Sequence, residues 1–179
     1  GASGVIYGVR LLRLLRDLEV ESHLVVSRSA QVTLAQETQM RIADLQALAD
    51  VNYPNTDIGA AISSGSFRVD GMIVAPCSIK TLSEVATGST SSLLSRAADV
   101  MLKERRRLVL MVRETPLHAG HIRSFAAVTD AGAIVYPPVP AFYARPETLE
   151  QMVDHTLGRV LDLFDIESRT VRRWSGTAG

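Results

Sequence analysis

The 179-residue sequence predicts an α/β domain built on a parallel sheet. Short β-branched segments alternate along the chain with longer segments whose apolar residues recur at helical spacing. Residues 107–112, RLVLMV, form a near-continuous apolar run, which is typical of a parallel strand buried on both faces. Small and hydroxyl residues follow several of the predicted strands, at the edge where such sheets bind ligands.

The pattern assigns each segment in turn. The first predicted helix covers residues 4–18, because Val5, Val9, Leu12 and Leu15 share one face. The other predicted helices cover residues 29–38, 41–49, 79–87, 91–104, 118–131 and 146–164. The predicted strands cover residues 22–27, 71–76, 107–112 and 132–137. Pro54 and Gly65 interrupt residues 52–67, which we therefore expect to form a loop.

The length predicts a single domain over residues 1–179, with a polar, weakly patterned tail from residue 165. The chain opens with Gly-Ala-Ser-Gly, a turn of the kind that follows a strand and enters a helix. We therefore expect a first strand before Gly1. No linker or internal repeat indicates a second domain.

Composition excludes several classes of protein. Lys+Arg and Asp+Glu both number 19, and this balance argues against a nucleic-acid or anionic-membrane partner. Cys77 is the one cysteine, so the sequence supports neither a disulfide framework nor a cysteine metal site. No apolar run reaches the roughly 18 residues of a membrane span, and no signal peptide is evident. We expect a cytoplasmic protein.

Two turns are suited to an anionic ligand. Backbone amides of Gly1 to Gly4 can point at an anion, although a tight turn alone would explain them, and the dinucleotide motif G-x-G-x-x-G is absent. Ser78 is a good N-cap for the helix that follows the strand, and Ser78 to Thr81 can hold a phosphate or the polar edge of a flavin. Simple helix capping is the alternative. We expect Cys77 to pack as a small buried hydrophobe.

Charged and aromatic residues elsewhere raise further possibilities. Arg113 and Glu114 follow the buried strand, where they form either an ion pair or an anion site. Tyr143 offers an apolar wall and a hydroxyl. His118 and His121 are three residues apart, but no third ligand stands out, so capping or interface roles are favoured over zinc.

Taken together, these stretches resemble the UbiX-type flavin prenyltransferases, formerly described as aromatic-acid decarboxylases. The resemblance covers about residues 1–165 in the family's order. It is carried by GASG-x-x-YG-x-RLL, HLVVS, ISSGSF, MIVAPCSIKTLS, RAADVMLKERR-x-LVL, VRETPLH-x-GH-x-R, PPVPAFY-x-RP and RVLD-F.

The resemblance implies a flavodoxin-like or Rossmann-like three-layer αβα fold in a homo-oligomer, usually a dodecamer. It implies bound FMN, no metal, and transfer of a dimethylallyl group from dimethylallyl phosphate to N5 and C6 of reduced FMN. The prenylated FMN would then serve a UbiD-type decarboxylase, often in ubiquinone biosynthesis.

The resemblance also assigns site residues. The implied FMN contacts are Gly1, Ala2, Ser3, Ser27, Ser78, Ile79, Lys80, Thr81, Arg96 and Arg113. The implied prenyl-phosphate contacts are Lys103, Arg113, Glu114, Tyr143 and Arg159. The implied catalytic residues are Ser3, Glu37, Lys103, Glu114 and Tyr143, with Glu114 as the acid toward the leaving phosphate and later the base for the C6 proton. Some of these residues would come from neighbouring subunits.

Three alternatives stay open. A flavin-dependent cysteine decarboxylase shares the architecture, but that class carries Pro-Ala-Ser-Ala-Asn-Thr where this chain has APCSIKT. A non-catalytic flavin carrier, or an accessory subunit of a decarboxylase, would not require the five implied prenyl-phosphate contacts. A generic nucleotide-binding Rossmann module would need a ribose-binding acid after the second strand, where this chain has Ser27-Arg28-Ser29.

Overall fold

The computed structural model describes residues 2–173 and residue 176. Within them, the helices and strands alternate as the sequence predicts. The helices are α1 (Val5–Asp17), α2 (Arg28–Glu37), α3 (Ile42–Gln46), α4 (Ile79–Thr87), α5 (Leu93–Lys103), α6 (Ala119–Asp130) and α7 (Leu149–Asp162). The strands are β1 (His23–Val26), β2 (Val51–Pro54), β3 (Gly71–Cys77), β4 (Arg107–Val112) and β5 (Ile134–Val135). Short 3₁₀ turns lie at Ala61–Ser63 and Phe142–Ala144.

Every strand pairing is parallel. In the described part of the chain, the strands form a two-stranded sheet, β1-β2, and a three-stranded sheet, β3-β4-β5. In the larger sheet, Val109 lies opposite Ile73 on one side and Ile134 on the other. The predicted α/β class with parallel strands is confirmed, although the strands divide between two sheets.

The prediction of a loop over residues 52–67 is wrong for its first residues. Strand β2 lies there and pairs with β1, with Val25 opposite Tyr53. Side chains of β2 alternate between half-buried and exposed, as expected for a strand with one face on the core. Pro54 ends this strand at the sheet edge, where its missing amide hydrogen breaks no ladder bond. The short run and its proline hid the strand in the sequence.

Strand β4 separates two parts of the core. Leu108, Leu110 and Val112 pack into the cluster that includes residues of α4, α5 and α6. Val109 and Met111 point to the opposite face and pack with residues of α1 and α7. Because successive side chains of a strand point to opposite faces, the apolar run fills both sides. This arrangement is the three-layer αβα sandwich implied by the resemblance.

A cavity of about 490 Å³ lies between the two sheets. Apolar side chains of β1 and β3 line it, including Leu24, Val26 and Ile73. Its wall also includes Ala2, Ser27, Ser78 and Thr81, which follow or precede elements at the carboxyl ends of the strands.

The segment after α7 folds back against that helix. The Thr170 hydroxyl donates to the Asp154 carbonyl oxygen at 3.0 Å, and a Cβ at Gly158 would lie 2.4 to 2.6 Å from Val171, Thr170 and Ser168. Glycine at position 158 thus permits close packing of this segment. Among the described residues, no helix is both long and apolar enough to cross a membrane.

Candidate functional site

The carboxyl ends of β1, β3 and β4 bring several predicted site residues to one edge of the fold. Ser27 directly follows β1, Ser78 follows β3, and Arg113 follows β4. The turn before α1 carries Ala2 and Ser3 to the same region, because α1 packs on β3 and its Val5 shares a core cluster with Val26. Parallel strands end at a common edge, so their following residues converge there.

Glu37, the last residue of α2, contacts the start of α1. Its carboxylate accepts hydrogen bonds from the Gly4 amide at 2.9 Å and the Val5 amide at 3.0 Å. A carboxylate is favoured there because the first amides of a helix lack partners and the helix dipole is positive at this end. The Gly4 amide, which the sequence offered to an external anion, is thus used by an internal one, as is the neighbouring Val5 amide.

The same contacts set the acidity of Glu37. Burial alone would raise the pKa of its carboxyl group. Hydrogen bonds from the Ser3 hydroxyl and from the Gly4 and Val5 amides, together with the charge of Arg113, instead hold that pKa below its usual value. The structure therefore brings Ser3, Glu37 and Arg113 together, and Glu37 is ionised at neutral pH.

Two helix N-termini complete this edge. The Ser78 hydroxyl accepts from the Thr81 amide at 3.3 Å and lies 3.3 Å from the Thr81 hydroxyl. The Ser27 hydroxyl accepts from the Ala30 amide at 3.2 Å at the start of α2. The predicted N-cap at Ser78 is confirmed. Helix N-termini with nearby hydroxyl groups are suited to binding a phosphate.

The side chains of Ile79 and Lys80 point elsewhere. Ile79 packs against the apolar cluster beneath α4. Lys80 is exposed and its ammonium pairs with Glu84 at 2.6 Å, one helical turn away. Their side chains are thus engaged in packing and in a surface ion pair, so a ligand contact at these positions would have to use main-chain amides.

Arg113 and Glu114 are both exposed after β4. The Arg113 amide donates to the Cys77 carbonyl oxygen at 3.1 Å, and a Glu114 carboxylate oxygen accepts from the Thr115 amide at 3.1 Å. Over residues 2–173, neither side chain forms an ion pair within 4.0 Å. The structural ion pair considered from the sequence is therefore not seen, and the guanidinium stands available to an anion.

Lys103 does not reach this edge within one chain, and the Arg96 side chain is engaged in local contacts. Lys103 ends α5 and pairs with Glu104, just before β4 begins at Arg107. The six residues of β4 span about 20 Å at roughly 3.3 Å per residue, and Arg113 follows the far end of the strand. Arg96 bonds Asp99 at 2.7 Å and the Ser63 carbonyl oxygen at 3.2 Å.

Tyr143 and Arg159 form a third group, beside α7. The Tyr143 ring packs edge-on against His155 with centroids 5.7 Å apart, and the Arg159 guanidinium bonds the Asp162 carboxylate at 2.5 Å. Tyr136 joins them: burial raises the pKa of its phenol, the charge of Arg159 opposes that rise, and Tyr143 and Asp162 add to it. Sequence reasoning did not single out Tyr136 or Asp162. Asp162 could have been found from the sequence, because it lies three residues after Arg159 on a predicted helix, and opposite charges at that spacing can form an ion pair.

The remaining candidates have structural roles. Cys77 is fully buried, and burial raises the pKa of its thiol to about 12, as expected for a small core residue. The His118 ring caps α6 by accepting from the Gly120 amide at 3.0 Å, and it stacks on His121 at 3.6 Å. Among the described residues, no group of three metal-ligating side chains is present. Gly1, implied as an FMN contact, lies outside the described residues.

Comparisons with known proteins identify the family. The model of the flavoprotein family matches residues 1–174. The flavin prenyltransferase UbiX of Salmonella typhimurium strain LT2 is 58% identical over 167 residues, which cover 93% of this chain and 88% of that protein.

Solved structures agree with that match. The crystal structure of AnUbiX (PadA1) in complex with FMN and dimethylallyl pyrophosphate superposes with a TM-score of 0.97 at 50% identity, covering 99% of this chain and 95% of that one. The dodecameric, FMN-dependent UbiX-like decarboxylase of Escherichia coli O157:H7 superposes with a TM-score of 0.95 at 48% identity, covering 98% and 96%. The chain therefore belongs to the flavoprotein family and, within it, to the UbiX flavin prenyltransferases.

Proposed function

We propose that this protein is a flavin prenyltransferase that moves a dimethylallyl group from dimethylallyl phosphate to N5 and C6 of reduced FMN. The product, prenylated FMN, then serves a UbiD-type decarboxylase. One observation carries the proposal: a protein that binds FMN and dimethylallyl pyrophosphate shares half of this sequence and almost all of its fold.

The edge formed by the ends of β1, β3 and β4 fits FMN. Hydroxyl groups of Ser27, Ser78 and Thr81 lie at two helix N-termini and line the cavity between the sheets. Such groups bind phosphates and the polar rim of a flavin. We assign FMN binding to Ala2, Ser3, Ser27, the Ser78–Thr81 segment and Arg113, with Gly1 and Arg96 as further contacts.

Ser3 and Glu37 would act beside the reacting flavin edge. The Ser3 hydroxyl bonds an ionised carboxylate that is itself fixed by two helix amides. Because the Glu37 carboxylate is held in one position, the Ser3 hydroxyl that donates to it is held in one orientation. Reduced FMN supplies the nucleophile when bound, and Ser3 and Glu37 hold that edge of the flavin in place.

Cationic side chains would neutralise the phosphate of the prenyl ester. Arg113 stands beside the FMN edge, whereas Lys103, Tyr143 and Arg159 lie elsewhere on the same chain. We infer that neighbouring subunits combine these residues in one pocket of a homo-oligomer, as a dodecamer of the related E. coli protein would allow. Glu114 would donate a proton to the leaving phosphate and later accept the C6 proton through it.

No divalent cation is required by this arrangement. Lys103, Arg113 and Arg159 carry three positive charges, which suffice to offset a dianionic phosphate monoester as it leaves. We place the reaction in the cytoplasm. Fractionation of cells that produce the full-length protein tests the location, and a membrane-bound or exported pool would contradict it.

Anaerobic incubation of the protein with reduced FMN and dimethylallyl phosphate tests the reaction. Mass spectrometry of the extracted flavin should show the added mass of one dimethylallyl group less the hydrogen that it replaces, with inorganic phosphate released in equal amount. Parallel samples contain dimethylallyl diphosphate, or lack a donor. An unchanged flavin mass in folded, FMN-loaded protein would contradict the proposal and favour a non-catalytic carrier.

A further inference from the structure

Asp162, at the end of α7, is shared by two arginines. The Arg173 guanidinium grips both of its carboxylate oxygens, at 2.9 and 3.1 Å. The Arg159 guanidinium bonds only the Oδ2 atom, through a single nitrogen at 2.5 Å. The Asp162 carboxylate is largely covered, at 18% exposure, whereas the two arginine side chains are about half exposed.

The Arg173 and Arg159 contacts with Asp162 differ in how many guanidinium N–H donors they leave free for another acceptor. A bidentate grip fixes both the position and the plane of a carboxylate, so Arg173 holds Asp162 in one orientation. A single bond at one guanidinium nitrogen fixes the direction of Arg159 but leaves its other N–H donors for a further acceptor. Arg159 is therefore oriented without being fully occupied.

The charges favour an anion at this place. Hydrogen bonding from Arg173, helped by the charges of Arg173 and Arg159, lowers the pKa of Asp162 despite its burial, so the carboxylate stays ionised. Within the cluster, two guanidinium groups and one carboxylate leave one net positive charge. The Glu167 carboxylate acts on Arg173 from outside it, so the unbalanced charge that an anion would meet is that of Arg159. Tyr136 and Tyr143 lie close enough to interact electrostatically with this cluster or with each other.

We propose that Asp162 is a positioning residue that presents Arg159 to the phosphate of the prenyl ester, and that Arg173 of the C-terminal segment locks Asp162 for this task. This inference rests on the proposed function and deepens it, because it assigns two residues to the donor subsite. Asp162 acts through Arg159 and does not itself contact the substrate.

Contacts with α7 hold the C-terminal segment in the position that its Arg173 needs in order to bind Asp162. Thr170 donates to Asp154 at 3.0 Å and lies 2.8 Å from the Ser168 hydroxyl. Gly158, one residue before Arg159, provides the space in which Ser168 to Val171 pack. Docking of this segment on α7 brings Arg173 to Asp162, so the donor subsite is complete only with the segment in place.

Asp162→Asn is the main test, since it keeps the shape of the side chain and removes its charge. We expect the KM for dimethylallyl phosphate to rise about tenfold, the cost of one charge-assisted hydrogen bond, while FMN affinity and the urea midpoint of unfolding stay near wild type. Asp162→Glu should restore part of the lost affinity. Asp165→Asn is the matched control, because it makes the same change at an exposed residue three positions away.

A double-mutant cycle separates positioning from general stability. If Asp162 acts through Arg159, Arg159→Ala combined with Asp162→Asn should cost no more than Arg159→Ala alone. Arg173→Gln should raise the KM for the donor less than Asp162→Asn does, and it provides a second probe if the Asp162 variant folds poorly. Additive losses would overturn the proposal.

Calorimetric titration of the FMN-loaded protein with inorganic phosphate gives a readout independent of turnover. Weaker phosphate binding by Asp162→Asn and Arg173→Gln supports the inference, even if the wild type forms no prenylated flavin and the proposed function fails. Unchanged binding would overturn the inference while leaving the function intact. Tighter binding would also overturn it, by showing that Asp162 competes with the phosphate for Arg159.

Discussion

At the residue scale, burial decides the chemistry of Cys77. The side chain has no exposed surface and its thiol pKa is raised to about 12, so almost no thiolate exists at neutral pH. The thiolate is the reactive form of cysteine. A buried, protonated thiol can serve packing but not nucleophilic catalysis.

We therefore expect native protein at pH 8 to resist Ellman's reagent, and unfolded protein to react with one equivalent. Cys77→Ala should keep FMN binding and prenyl transfer and lose about 1 kcal/mol of stability, from the removed buried sulfur. Rapid labelling of the native thiol, or loss of activity in a folded variant, would contradict this view.

Glu37 links acidity to stability at a single residue. Its pKa in the folded protein lies below its usual value of 4.5. The ionised carboxylate therefore stabilises the folded state fully above pH 4.5, and this contribution is lost as the pH falls through the lower, folded-state pKa.

Glu37→Gln should lower the free energy of unfolding at pH 7 by about 0.5–1 kcal/mol, the usual worth of an anion at a helix N-terminus. The difference from wild type should shrink as the pH falls below about 4.5. Urea unfolding at several pH values measures it, with Glu19→Gln, an exposed residue, as control. A difference that is independent of pH would show that charge is not the cause.

At the scale of elements, close contact between α1 and β3 sets the geometry of the turn at Ser3. Gly8 makes this contact possible, because a Cβ there would lie 2.7 Å from the Ala75 carbonyl oxygen. That oxygen belongs to the backbone of the strand and cannot rotate away. The helix and the strand therefore approach each other at a distance that only glycine allows.

Gly8→Ala should lower the free energy of unfolding by about 1–3 kcal/mol, as overpacking does, although alanine is the better helix former. FMN affinity should also fall, because a displaced α1 moves the turn that carries Ser3. Arg13→Ala, on the exposed side of the same helix, is the control. A Gly8→Ala protein as stable as wild type, with normal FMN affinity, would contradict the proposed role of this contact.

At the scale of the whole molecule, the proposed site would extend beyond one chain. Lys103 lies at the amino end of β4 and Arg113 at its carboxyl end, so one chain does not place both beside the same phosphate. An oligomer can combine the Lys103 of one subunit with the Arg113 of another.

Mixing two inactive variants tests this sharing. Lys103→Ala and Arg113→Ala, each inactive alone, should regain partial prenyl transfer when produced together, because some pockets then receive both wild-type residues. Mixing Arg113→Ala with Glu114→Gln is the control and should give no recovery, since those neighbours belong to the same chain. Recovery in neither mixture would contradict a pocket that combines the Lys103 of one subunit with the Arg113 of another.

Much of the fold was predictable from local patterns. The run at residues 107–112 specified a strand buried on both faces, and Ser78 specified the start of α4, because periodicity and capping are properties of neighbouring residues. Strand β2 was missed, since its four residues and Pro54 give too short a pattern and its pairing with β1 is a long-range contact. The expectation of a strand before Gly1 stays a prediction.

The sequence by itself determined the α/β class, the order of most elements, the family and the buried, inert state of Cys77, because each depends on spacing, composition or motif. Only the tertiary structure decided that Glu37 occupies the amides of α1, that Lys103 lies far from Arg113, and that Asp162 joins Arg159 to Arg173. These contacts join residues on separate elements, or choose one partner among several. Such choices depend on how whole helices and strands pack, which no local pattern records.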